Sequence, residues 1–200
     1  MTDGVDESKR ATLKRFAAVG AATPLARLSR DDSGDSDARD AIVGYLSTTP
    51  GAHFSKLRDD LKLGTGETQH HLRRLERADA VESVKDGDYR RYFPAGRFAT
   101  FEKRALGYLR RDTPRGMLVA LLRDPEVTGA ALADRLGVSQ PTVSKYATEL
   151  ESAGLLSRRD GYQLEQPETL LLLVARYADS FGDDARALAA EADRLVSYDP

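Results

Sequence analysis

The sequence predicts an α+β, mainly helical chain in which one small module is used twice. Two observations carry this. The first is the stretch Gly64 to Pro94, where a polar helix runs directly into a two-stranded hairpin. The second is a shift of 75 positions, which lays Leu46 on Leu121, Pro50 on Pro125, Leu57 on Leu132 and Leu75 on Leu150 without a gap. In the helix, Thr68, Leu72, Leu75 and Asp79 fall on one face and the first three are fit for burial. Gly66, His70, Arg73 and Arg77 fall on the opposite face. Asp86-Gly87 lies between two β-rich runs and predicts a hairpin turn of type I′, with positive φ at both central residues. Asp160-Gly161 repeats it after a one-residue shift.

In chain order, residues 1–36 read as an N-terminal arm and linker. Ser8 to Ala26 resembles a twin-arginine export signal with Lys9 in place of the first arginine; the plainer readings are a mobile arm or a short amphipathic helix lying on the body. Asp31 to Asp37 is a polar, acidic linker. Residues 37–99 form the first module: a helix with Ala41, Ile42, Tyr45 and Leu46, a break at Pro50-Gly51, a helix with Leu57 and Leu61, then the polar helix and hairpin. Residues 100–112 read as a basic connecting helix carrying Lys103, Arg104, Arg110 and Arg111. It is either a solvated linker or a tracker of the DNA backbone. Residues 113–166 form the second module, whose third helix opens with Ser139 as N-cap and Pro141 in its first turn. Residues 167–200 are C-terminal helices. Leu170 to Phe181 is apolar nearly all round and must be buried on more than one side.

Helix, helix, short turn, polar helix, hairpin is the order of a winged helix-turn-helix, so the fold expected is two such domains in tandem followed by C-terminal helices. Thr65-x-x-Thr68-x-x-His71-Leu72-x-x-Leu75 and Ser139-x-x-Thr142-Val143-Ser144-x-Tyr146 resemble the recognition helices of archaeal winged helix-turn-helix regulators of the MarR and ArsR type. The likeness covers both modules and leaves out the N-terminal arm and the C-terminal helices. It implies that each third helix enters a major groove of double-stranded DNA while the wing reaches the flanking backbone or minor groove.

Carried over residue by residue, the resemblance places Thr65, Gln69, His70, Arg73 and Arg74 against DNA in the first module, with Lys85, Arg90 and Arg91 on its wing. In the second it places Gln140, Thr142, Ser144, Lys145 and Thr148, with Arg158 and Arg159 on the wing. Arginine suits guanine and glutamine suits adenine, while wing arginines would hold phosphates. Each is otherwise an ordinary solvated position. Glu149 and Glu151 on the third helix of the second module suit it either to bind DNA weakly or to serve dimerisation.

Composition narrows the rest. The 200 residues carry a formal net charge of −2 and no cysteine, which excludes disulfides and thiolate metal sites. His70 and His71 point about 100° apart on a helix and do not share one ion. No metal, cofactor or catalytic nucleophile–base set is expected, no membrane span is present, and a cytoplasmic DNA-binding protein is the expectation. From Asp160 onward acidic residues outnumber basic ones about threefold. That end reads as a lid on the second module or as a homodimer interface through 167–197, the interface being favoured. The rival from another class is a protein–protein scaffold built from tandem winged domains. A second rival is a regulator with an effector pocket near Leu170 to Phe181, its effector unknown.

Overall fold

The computed structural model describes residues 3–21 and 33–195. The chain divides into two compact units, one running to Phe98 and one starting at Ala99.

In the first unit, α1 (Asp3–Ala21) packs along α2 (Ser33–Thr48). Residues 3–21 therefore form a helix lying on the body, the second of the two plainer readings of this stretch. Leu13 is buried, and the Phe16 ring meets Tyr45 edge-on at 5.3 Å. Helix α2 begins at Ser33, so the later part of the stretch read as a linker is helical. The remainder of the expected linker, and the export-like segment past Ala21, lie outside the described residues.

Ile42, Tyr45 and Leu46 of α2 meet Leu57 of α3 (Phe54–Asp60) and Leu72 and Leu75 of α4 (Thr65–Arg77) in one core. Against it stands a three-stranded antiparallel sheet of order β1-β3-β2, with β1 (Ala52–His53), β2 (Val81–Asp86) and β3 (Tyr89–Pro94). The hairpin register pairs Asp86 with Tyr89, so the turn residues are Gly87-Asp88, one position later than the sequence suggests. Gly87 has φ +59 while Asp88 has no positive φ, which is the pattern of a type II′ turn instead of I′.

The second unit repeats this plan with additions. Its helices α5 (Thr100–Leu109), α6 (Asp112–Arg123), α7 (Gly129–Leu136) and α8 (Gln140–Ser152) precede a short hairpin, β4 (Leu156–Ser157) with β5 (Gln163–Leu164). Two helices follow, α9 (Pro167–Phe181) and α10 (Asp183–Leu195). Met117, Leu121, Leu132, Val143, Ala147 and Leu150 are buried. The apolar helix α9 buries Leu170, Leu171, Leu173, Val174 and Phe181 within its own unit, packed with α5 and α10.

The basic stretch after Ala99 is largely consumed inside this unit. Arg104 donates to the Ala153 carbonyl at 3.3 Å, and Arg110 donates to the Ser180 carbonyl at 2.6 Å while lying over the Phe181 ring. Arg111 reaches Glu149 at 3.5 Å. On α6, Arg115 holds both oxygens of Asp184 and Arg123 holds Glu191. These arginines fasten α8, α9 and α10, and three of them, Arg104, Arg110 and Arg111, belong to the basic helix read above as a solvated linker or a tracker of the DNA backbone. The C-terminal acidity is partly their counter-charge.

Candidate nucleic-acid interface

The two polar helices, α4 and α8, are each positioned by a buried face. On α4, Thr68, His71, Leu72 and Leu75 face the core, at spacings of three and four. Thr65, Gln69, His70, Arg73 and Arg74 are consequently exposed, and Arg77 joins them. The helix begins at Gly64, whose backbone N–H donates to the Glu67 carboxylate at 3.1 Å. Glu76 accepts a 2.6 Å hydrogen bond from Ser83 of β2, which ties the wing to the C-terminal half of α4.

That brace brings helix and wing together. Gln69, Arg73 and Glu76 of α4, Arg90 and Tyr92 of β3, and Phe54 of α3 line one cleft of about 270 Å³. Tyr92 forms its floor; burial, then the nearby Glu76 charge, pushes its phenol above the ordinary value. Lys85 pairs with Arg90 across the hairpin, so their side chains share the sheet face that carries Tyr92 and Ser83. Gln69, Arg73, Arg90 and Lys85 therefore belong to one polar surface.

Arg91 does not. Successive strand residues point to opposite faces, so Arg90 and Arg91 cannot both serve the same surface. Arg91 is only 3% exposed, ion-paired with Asp86 and donating to the Gly51 carbonyl at 3.0 Å. Its removal from the interface is a correction to the sequence reading: it locks β3 to the turn before β1. Beside it, His53 accepts from the Lys56 N–H at 3.3 Å as the N-cap of α3, and its ring lies 5.0 Å from Tyr89. Burial, then the Arg91 and Lys56 charges, lowers the His53 pKa below 6.5.

In the second unit, Val143, Ala147 and Leu150 turn α8 so that Gln140, Ser144, Lys145 and Thr148 are exposed. Gln140 and Ser144 line a cleft of about 360 Å³ with Gly129 and Tyr162. The others are more occupied than the sequence suggests. Thr142 is half-buried, with its hydroxyl 2.9 Å from the Ser139 hydroxyl. Thr148 donates back to the Ser144 carbonyl at 3.0 Å. Lys145 stands 3.8 Å from Glu149, and Arg158 pairs with Glu151 at 2.6 Å. Arg159 is exposed. The Glu76–Ser83 brace and the floor residue Tyr92 were not foreseen as site residues; the only sequence signal was that Glu76 recurs as Glu151.

Among the described residues no group of three His, Asp or Glu is placed to hold a metal ion, and no helix is long and apolar enough to cross a membrane. Residues 36–106 match a family described as an N-terminal HTH domain, and residues 111–162 match the MarR family. A protein of Methanocaldococcus jannaschii described as an uncharacterized HTH-type transcriptional regulator is 28% identical over 124 residues, which cover 62% of this chain and 31% of that protein. The chain thus spans about a third of the length of the curated relative it matches. The two successive matches fall one on each helix–helix–polar helix–hairpin unit, so the fold is two winged helix-turn-helix units in tandem, the first similar to an N-terminal HTH domain family and the second to the MarR family.

Proposed function

We propose that the chain is a sequence-specific, double-stranded DNA-binding transcriptional regulator of the cytoplasm, in which the first module is the principal reader. The observation that carries this is the shared cleft of Gln69 and Arg73 from α4 with Arg90 from the wing. Arg73 and Gln69 suit base edges in the major groove, and Lys85 and Arg90 suit the phosphates beside it. The relative named as a transcriptional regulator supports the same role. The second module adds Gln140, Ser144 and Arg159 as weaker contacts. A homodimer through residues 167–197 belongs to the same reading. What supports it is Leu172, 69% exposed on α9 while Leu170, Leu171 and Leu173 are buried within the unit. An effector pocket near Leu170 to Phe181 has less support, since most of those side chains are already buried among helices.

Footprinting on the chain's own promoter tests the reading. A protected tract whose occupancy falls steeply with salt is expected. A second reading, a tandem winged-helix scaffold for proteins, is favoured by the pairing of Lys145 and Arg158 with the second module's own carboxylates. A scaffold would give no saturable duplex binding at any salt concentration.

A further inference from the structure

We infer that the junction of α1 with the α3–α4 turn is a second DNA-backbone contact of the first module, at which Lys9 exchanges the Glu67 carboxylate for a phosphate. This rests on the DNA-binding reading above and extends it to residues that neither family resemblance nor the recognition-helix motif supplies. The wing bears on the middle and C-terminal half of α4 through Arg73 and Glu76. The junction lies at the other end, around Thr65 and Glu67.

Three cations meet there. Lys9 of α1 holds both Glu67 oxygens, at 2.9 and 3.0 Å. Lys62, exposed in the turn, donates to the Ser8 hydroxyl. Arg58 reaches the Thr65 hydroxyl at 3.5 Å while pairing with Asp59. Among the contacts of these described residues, three positive groups meet two carboxylates, Glu67 and Asp59, with the Ser8 and Thr65 hydroxyls among them.

Glu67 reports what this arrangement binds. Its carboxylate takes two bonds from one ammonium and one from the Gly64 N–H. Burial works to raise its pKa, and the Lys9 and Gly64 hydrogen bonds overcome that and hold it below the ordinary value. An ammonium, a backbone N–H and nearby hydroxyls make a site for an oxyanion, and a phosphate diester is one. Lys9 is no flexible arm residue, because Leu13 and Phe16 anchor α1 to the core. Lys62 occupies a left-handed position, φ +55, where the second module has Gly137. The first module keeps a lysine at a backbone position that favours glycine.

The test is the salt dependence of duplex affinity, measured with the full chain and four variants. Each lost phosphate contact lowers the slope of log K against log salt by about 0.9. Lys9→Gln and Lys62→Asn are each expected to lower it by about that amount, as Arg90→Gln does on the wing. Glu67→Gln keeps an acceptor for the Gly64 N–H and releases Lys9, so it should tighten binding severalfold. Thermal melts of the variants separate loss of contact from loss of fold. If Arg90→Gln lowers the slope while Lys9→Gln and Lys62→Asn leave it unchanged and still melt like the parent, the junction is not a DNA contact. A parent chain that binds no duplex overturns the DNA-binding reading itself.

Discussion

The two modules share one backbone plan and differ in what they place on it. Each chain reversal after the second and third helices needs a left-handed residue. The second module supplies Gly137 and Gly154 at φ +63 and +70; the first supplies Lys62 and Asp79 at φ +55 and +50, at the corresponding positions. Caps differ in the same sense. Thr128 and Ser139 cap α7 and α8 with hydroxyls, and Pro141 sits in the first turn. His53 caps α3, while Gly64 at the start of α4 relies on Glu67. Local chemistry is thus well matched to the backbone in the second module and poorly matched in the first. Departures from local preference concentrate at functional sites. The first module makes its departures around α4, the helix proposed to read DNA, with a long wing of six-residue strands against two-residue strands in the second.

That contrast can be broken by exchanging its parts. The largest effect belongs to the wing. Arg91→Ala leaves the partly buried Asp86 without its ion pair and removes the bond to Gly51; unfolding free energy should fall by about 3–5 kcal/mol. Arg158→Ala in the second wing breaks an exposed pair and should cost under about 1 kcal/mol. Urea titrations of the two variants decide this, and similar costs would dissolve the distinction.

Next come the left-handed positions. Gly137→Lys and Gly154→Asp should each destabilise the second module by about 1–2 kcal/mol. Lys62→Gly and Asp79→Gly should each stabilise the first by somewhat less, about 0.5–1 kcal/mol, because glycine loses more backbone entropy on folding. Shifts in urea midpoint with opposite signs in the two modules are the expected result.

The smallest effect separates the caps by pH. The folded His53 pKa is lowered, so the unfolded chain binds the proton more readily below pH 6.5. Its contribution is complete above the ordinary histidine range and is lost as pH falls from there through the folded value. His53→Asn keeps a capping acceptor and should remove this part of the pH dependence. Thr128, the matching cap of α7, does not titrate, so Thr128→Asn should leave the profile unchanged. Melting curves collected on either side of pH 6.5 provide the comparison.

Much of this was legible in the residues. The shift that lays Leu57 on Leu132 and Leu75 on Leu150 marked the duplication, and the spacing of Thr68, Leu72 and Leu75 set the outward face of α4. Less legible were features that depend on partners distant in the chain. The strand β1 has only two residues and exists because His53 and Ala52 pair with Arg91 and Tyr92. Arg91 resembles Arg90 in sequence, and only the register and the Gly51 carbonyl decide that it turns inward. The basic run Lys103 to Arg111 looked like a free charged surface because its acceptors, among them Ala153 and Ser180, are 49 and 70 positions away from their donors. In α1, the mixture of basic and small residues left a mobile arm and a helix on the body both open, and the packing of Leu13 and Phe16 decides for the helix.

The central claim is that the cleft of α4 and its wing reads DNA and that the matching face of α8 does so weakly. Fluorescence-anisotropy affinities for the footprinted site, compared between Arg73→Ala and the corresponding Thr148→Ala, test it most directly. Loss of a bidentate base contact is worth about 1–3 kcal/mol, so Arg73→Ala should weaken binding by about 5–150-fold. Thr148, whose hydroxyl is already bonded to its own helix, should change affinity by less than about twofold on replacement. Equal losses in the two variants, or a larger loss at Thr148, would contradict the account.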